Sequence, residues 1–110
     1  MRHLRVVIAV FSATVVVLSA TRVAADTGTQ IFDKHCAKCH GADGRAKTEA
    51  AIKMKVSNLR SGDVQGLSDA QLYDSVAYGK KHKQYPHAYL YKGLTERDIR
   101  AVVAHIRTFK

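Results

Sequence analysis

The chain has 110 residues, with 18 Lys and Arg against 9 Asp and Glu, six His, two Cys, one Pro and no Trp. That length suits one small domain, which buries a limited core and usually needs a staple such as a disulfide or a bound metal. Two cysteines exclude an all-thiolate zinc site, which needs four ligands, and nothing in the chain reads as a linker, a repeat or low-complexity sequence.

Arg2, His3 and Arg5 form a basic start, Val6 to Leu18 is an apolar run broken only by Ser12 and Thr14, and Val23-Ala24-Ala25 offers small residues for cleavage. This layout predicts a secretory signal peptide over residues 1–25 and a mature domain over 26–110. The run is short for a transmembrane span, which needs about 20 apolar residues; an uncleaved N-terminal anchor is the alternative reading. Cleavage removes Arg2, Arg5 and Arg22, leaving 15 Lys and Arg against 9 Asp and Glu, a net charge of +6. Export, into the periplasm, also removes nucleic acid as an expected partner, and no nucleic-acid motif is present.

The first predicted helix runs from about Thr29 to Ala37 and carries Ile31 and Phe32 just ahead of Cys36-Ala37-Lys38-Cys39-His40. A Cys-x-x-Cys-His run reads as a c-type haem attachment site. Each thiol can add across one haem vinyl group to form a thioether, and the two-residue spacer lets one helical turn present both sulfurs to one porphyrin edge. His40, the next residue, then lies beneath the ring as the proximal iron ligand. One haem c per chain follows, and an apolar porphyrin supplies the core that so small a domain lacks. The competing readings are a disulfide between Cys36 and Cys39, a thioredoxin-like redox pair, which would need a βαβ setting, and a zinc site completed by His40 and a distant His. Haem is attached outside the cytoplasm, so the signal peptide and the motif agree while using different residues.

Residues 41–62 are polar, carry Gly41, Gly44 and Gly62, and predict an extended loop with little regular structure. The second helix starts at Ser68, whose hydroxyl can cap while Gln71 reaches back. Leu72 and Val76 share its apolar face, and Gly79 suits a left-handed stop. Thr95 opens the third helix with Asp98 at the matching position, and Ile99, Val102, Val103 and Ile106 form its apolar stripe. No segment alternates as a strand does. The predicted class is all-α.

Cys36-Ala37-Lys38-Cys39-His40-Gly41, followed by Asp43-Gly44, is similar to the attachment motif and turn of small monohaem class I cytochromes c. Leu94-Thr95-Glu96 through Ala101-Val102-Val103-Ala104-His105-Ile106-Arg107 resembles that family's last helix, so the likeness covers nearly all of residues 29–110. The resemblance implies the cytochrome c fold: three or more helices, with the first and last crossing, wrapped around a covalently attached haem with one edge exposed. His105 stands where the family usually has an aromatic residue, and reads as a packing residue at that crossing.

The chain departs from the family on the other side of the iron. Class I cytochromes usually supply the sixth ligand from a Met in a Met-Pro pair, whereas here Tyr85 precedes the single proline, Pro86. His87, one residue past the proline, is the leading distal candidate. His82 and Met54 are alternatives, and an open iron, or one faced by Tyr85, Lys81 or Lys83, is the remaining reading. A lysine must lose its proton before its amine can bind.

Two strong-field axial ligands keep iron low-spin in both oxidation states, so little geometry changes when an electron passes. That predicts a one-electron carrier, not an enzyme, in an exported respiratory or redox pathway. The alternative is a haem sensor or small haem catalyst with an open distal site; a colourless secreted binding protein with a disulfide is a third reading. Lys80, Lys81, Lys83 and Lys92, with Lys34, Lys38 and Arg45 near the motif, predict a basic rim that steers an acidic redox partner at low salt. A solvated basic surface is the plainer reading of the same charges. An acidic membrane surface is a further candidate partner.

Overall fold

A computed structural model describes residues 15–17, 19, 25–80 and 88–110. The predicted signal peptide lies almost wholly outside these residues, as does the segment 81–87 with His82, Tyr85 and His87. Among the described residues there is no strand, and no helix is long and apolar enough to cross a membrane.

Short polar side chains start most of the helices. Thr27 and Gln30 cap α1 (Gly28–His35) reciprocally, the Gln30 amide donating to the Thr27 hydroxyl at 3.2 Å and the Thr27 amide to Oε1 of Gln30 at 2.7 Å. The predicted boxes behave the same way. Ser68 and Gln71 open α5 (Asp69–Tyr78), and Thr95 and Asp98 open α6 (Glu96–Ile106). Gly79 ends α5 at φ 73°, the left-handed stop that its position predicts.

Two elements differ from the sequence expectation. The first helix breaks at Cys36, so α1 gives way to a separate turn, α2 (Ala37–His40). The stretch 41–62 is not an extended loop throughout. It holds α3 (Glu49–Met54), capped by the Thr48 hydroxyl, and begins α4 (Gly62–Gln65), capped by Ser61. Neither helix carries a long apolar stripe. Each is a turn or two stabilised by its cap and by the surface on which it lies, so periodicity gives little sign of it.

α1 crosses α6 so closely that a Cβ on Gly28 would lie 2.1 Å from the Ala101 carbonyl oxygen. Below that crossing Phe32, Ile99 and Val102 are fully buried. His105 packs between Phe32 and Phe109, with ring centroids 5.0 Å from each, and its Nδ1 lies 3.1 Å from the Thr29 hydroxyl. It is a packing residue at the helix crossing. α5 and the 3-10 helix Tyr89–Lys92 complete the wall of the core.

Arg107, just past α6, ties the chain between α4 and α5 to this frame. Its guanidinium donates to the Gln65 carbonyl at 2.9 Å, to the Leu67 carbonyl and to a carboxylate oxygen of Asp69 at 2.8 Å. Hydrogen bonds that involve a charged group contribute about 1.5–3 kcal/mol. Because the Asp69 carboxylate is exposed, the two carbonyls dominate the effect, and Arg107→Met is expected to destabilise the haem-loaded protein by about 2 kcal/mol in a denaturant titration.

Candidate haem site

The break at Cys36 sets up the site. With the chain at φ −119° and ψ −37°, the Cys36 carbonyl accepts from the amides of both Cys39, at 3.2 Å, and His40, at 2.9 Å. One turn therefore carries both sulfurs and the imidazole, as the spacing requires. Both cysteines are free thiols and half-buried, while His40 is buried. Burial, and secondarily the neighbouring Cys39, push the Cys36 thiol up to about 12. This pocket favours an uncharged sulfur, such as a thiol or a thioether.

His40 is oriented from the segment after α3. Its Nδ1 lies 3.1 Å from the Ser57 carbonyl oxygen. A carbonyl can only accept, so Nδ1 carries the proton and the lone pair sits on Nε2, the nitrogen suited to iron. Thr48 supports the same turn from the other side, its hydroxyl donating to the Cys39 carbonyl at 2.9 Å. The sequence reading missed Ser57 and Thr48. Ser57 acts through its backbone, which leaves no residue-type signature, and Thr48 stands in a stretch that reads as an extended loop.

A cleft of about 740 Å³, counting its open mouth, adjoins Cys36 and His40. Leu59, Val64, Leu67, Leu72, Val76, Val102 and Ile106 give it apolar walls, and Tyr89 and Lys80 stand among the lining residues. The Tyr89 hydroxyl donates to the His35 carbonyl at 3.0 Å, next to the first cysteine, and its ring meets the His35 ring edge-on. Burial, with Cys36 and Cys39 nearby, raises the Tyr89 phenol above its ordinary range. No sequence motif marks Tyr89.

These residues fit a c-type haem. The cleft is apolar where a porphyrin needs burial, Cys36 and His40 line it with Cys39 on the same turn, and the imidazole is held in the iron-binding tautomer. Among the described residues no group of three or more His, Cys, Asp or Glu is placed to hold a metal ion by itself.

Of the distal candidates, His87 and His82 lie outside the described residues. Met54 ends α3, half-buried, and is not one of the residues lining the cleft. The basic residues divide. Lys34 and Lys38 are exposed on α1 and α2, whereas Lys80 pairs with Asp74 at 3.2 Å and Arg45 with Asp43 at 3.5 Å.

The profile of the family described as "Cytochrome C oxidase, cbb3-type, subunit III" matches residues 23–106. The chain belongs to this family of c-type cytochrome domains. It is 33% identical over 84 residues to cytochrome c-553 of Desulfomicrobium norvegicum, covering 76% of this chain and 98% of the relative. It is 32% identical over 94 residues to the cbb3-type cytochrome c oxidase subunit CcoP of Rhodobacter capsulatus, covering 81% of this chain but only 30% of that longer protein. Among solved structures, the KustC0563 c-type cytochrome superposes with a TM-score of 0.64 at 24% identity, covering 77% of this chain and 99% of that one, a likeness of fold. The domain is therefore an all-α cytochrome that binds haem c and carries electrons. When bound, the iron of that group alternates between ferrous and ferric and so holds one electron at a time. The chain's own part is to bury the ring, fix its edge and hold the imidazole in one tautomer.

Proposed function

We propose that Cys36 and Cys39 hold the haem through thioethers and that His40 Nε2 is its proximal ligand, in an exported one-electron carrier. The hydrogen bond from His40 Nδ1 to Ser57 carries this reading, because it presents Nε2 in the form that binds iron. His87 supplies the sixth ligand, with His82 and Met54 as the alternatives. Support for a His comes from the sequence, where Tyr85 stands in the place of the usual Met. Export follows from the N-terminal 25 residues, with cleavage after Ala25 and a periplasmic destination. The domain shuttles electrons without catalysing a reaction of its own, and its redox partner presents an acidic surface, supported by the net charge of +6 outside the N-terminal 25 residues.

An absorption spectrum of the matured protein at neutral pH, oxidised and then reduced, tests this. The expected result is a low-spin spectrum in both states without the long-wavelength iron–methionine band, turning high-spin in His87→Ala. The reduction potential should fall below that of Met/His relatives, since a Met ligand raises it. A high-spin ferrous spectrum in the unaltered protein would replace carriage by ligand sensing or catalysis at an open iron.

A further inference from the structure

The helix break at Cys36 takes away a carbonyl's helical partner. In an unbroken α-helix the Cys39 amide would donate to the carbonyl four residues back, on His35. Here that amide donates to the Cys36 carbonyl at 3.2 Å, alongside the His40 amide at 2.9 Å. The His35 carbonyl is thereby released at a half-buried residue. A backbone acceptor kept from water needs another donor, so the break is stable only if one is supplied from elsewhere.

Tyr89 supplies it. Its hydroxyl, 54 residues along the chain, donates to the His35 carbonyl at 3.0 Å. The 3-10 helix that carries Tyr89 is closed by the Gly93 and Leu94 amides, which both donate to the Tyr89 carbonyl. The Tyr89 ring is itself fixed. It meets the His35 ring edge-on with centroids 5.6 Å apart, Lys92 Nζ lies over it at 5.4 Å, and it lines the cleft together with Cys36. Burial favours the protonated phenol, so the oxygen keeps the proton that it donates. The two cysteines thus have separate supports. The Thr48 hydroxyl holds the Cys39 carbonyl at 2.9 Å, and Tyr89 holds the residue before Cys36.

We infer that Tyr89 is a positioning residue for haem attachment, whose hydroxyl holds the helix break and so presents the Cys36 sulfur to the cleft. The inference rests on the thioether reading and deepens it by giving one of the two bonds its own support. In forming that bond the Cys36 S–H adds across a vinyl C=C, sulfur to one carbon and hydrogen to the other. Atoms and electrons balance without an oxidant or a reductant. Tyr89 takes no part in the bond changes.

The test separates the two attachments. The holoprotein is matured in cells as Cys39→Ala, where only Cys36 can attach, and as Cys36→Ala, each with and without Tyr89→Phe. Mass spectrometry of the denatured protein gives the ratio of haem-bearing to haem-free chain. Tyr89→Phe is expected to lower that ratio about fivefold in Cys39→Ala, the factor for one hydrogen bond. In Cys36→Ala the change should stay within about twofold. An equal loss in both backgrounds makes Tyr89 a support of the whole fold and overturns the inference, as does no loss in Cys39→Ala. If neither single-cysteine chain accumulates, the pyridine haemochrome of Tyr89→Phe with both cysteines decides. A band at longer wavelength than that of the unaltered protein, from a surviving vinyl group, is expected, and an identical band overturns the inference. Absence of covalent haem from the unaltered protein overturns the thioether reading itself, and the inference with it.

Discussion

The double substitution Cys36→Ala/Cys39→Ala is expected to leave a protein that cannot hold a cooperative fold. The reason is the cleft that the porphyrin fills. Its cavity volume apart from the open mouth is about 140 Å³, and an unfilled cavity costs about 24 cal/mol per Å³. The cost is about 3 kcal/mol, a large share of the stability of a small domain, which is about 5–15 kcal/mol. Collapse offers limited relief, because the walls come from separate elements already braced elsewhere. Leu72 and Val76 sit on α5, held by its capping box, and Val102 and Ile106 on α6, held by its crossing with α1. Far-UV circular dichroism of the variant should show reduced helix and no sigmoidal melt, and its amide NMR spectrum should lose dispersion. A sharp thermal transition in the haem-free chain would mean that the helical frame stands without the group. In that case the walls would pack on one another, and the cleft would be a property of the loaded state alone.

Gly28→Val is expected to produce the largest loss of any single substitution away from the haem motif. The cause is not backbone freedom at Gly28 but distance. A Cβ there would lie 2.1 Å from the Ala101 carbonyl oxygen and 2.7 Å from its carbon. Those are backbone atoms of α6 and cannot swing aside as a side chain can. Overpacking a well-packed core costs about 1–3 kcal/mol and occasionally more. Here the clash is backbone-deep, so about 3 kcal/mol or more is expected, a fall in melting temperature of roughly 12–24 °C for a domain of this size. Alanine at the same place should already cost much of this, since its Cβ is the clashing atom. Opening the crossing also disturbs Phe32 and His105, which pack just beneath it. The haem-loaded variant should therefore melt earlier while its absorption spectrum at room temperature stays close to that of the unaltered protein. Gly28 escapes a reading based on motifs and helix periodicity, because a glycine at the start of a helix suggests only a weak cap.

The same contrast runs through the fold. Ser68 with Gln71, Thr95 with Asp98, Gly79 and the apolar stripe of Ile99, Val102, Val103 and Ile106 are local patterns, and each takes the conformation its chemistry dictates. The helix break at Cys36 was not legible, because Cys-Ala-Lys-Cys is compatible with a continuing helix. α3 was not legible either: six residues are too few for a periodic stripe. The attachment motif could be read because covalent chemistry demands particular residue types at fixed spacing. Its supports could not, because Ser57 contributes a carbonyl and Thr48 a hydroxyl from 17 and 9 residues away along the chain.

Sequence by itself determined the family, the class, the cofactor chemistry, the starts of the two longest helices and the stop of one of them, α5. All of these depend on short-range pattern: two thiols and an imidazole in five residues, caps three residues apart, apolar residues at helical intervals. Only the tertiary structure decided the tautomer of His40 and the closeness of α1 to α6 at Gly28 and Ala101. Each of these joins residues or backbone atoms that are remote in sequence, or depends on how neighbouring elements turn their faces. Such relations are set by packing, which minimises the free energy of the whole chain at once and leaves no signature in any single stretch of it.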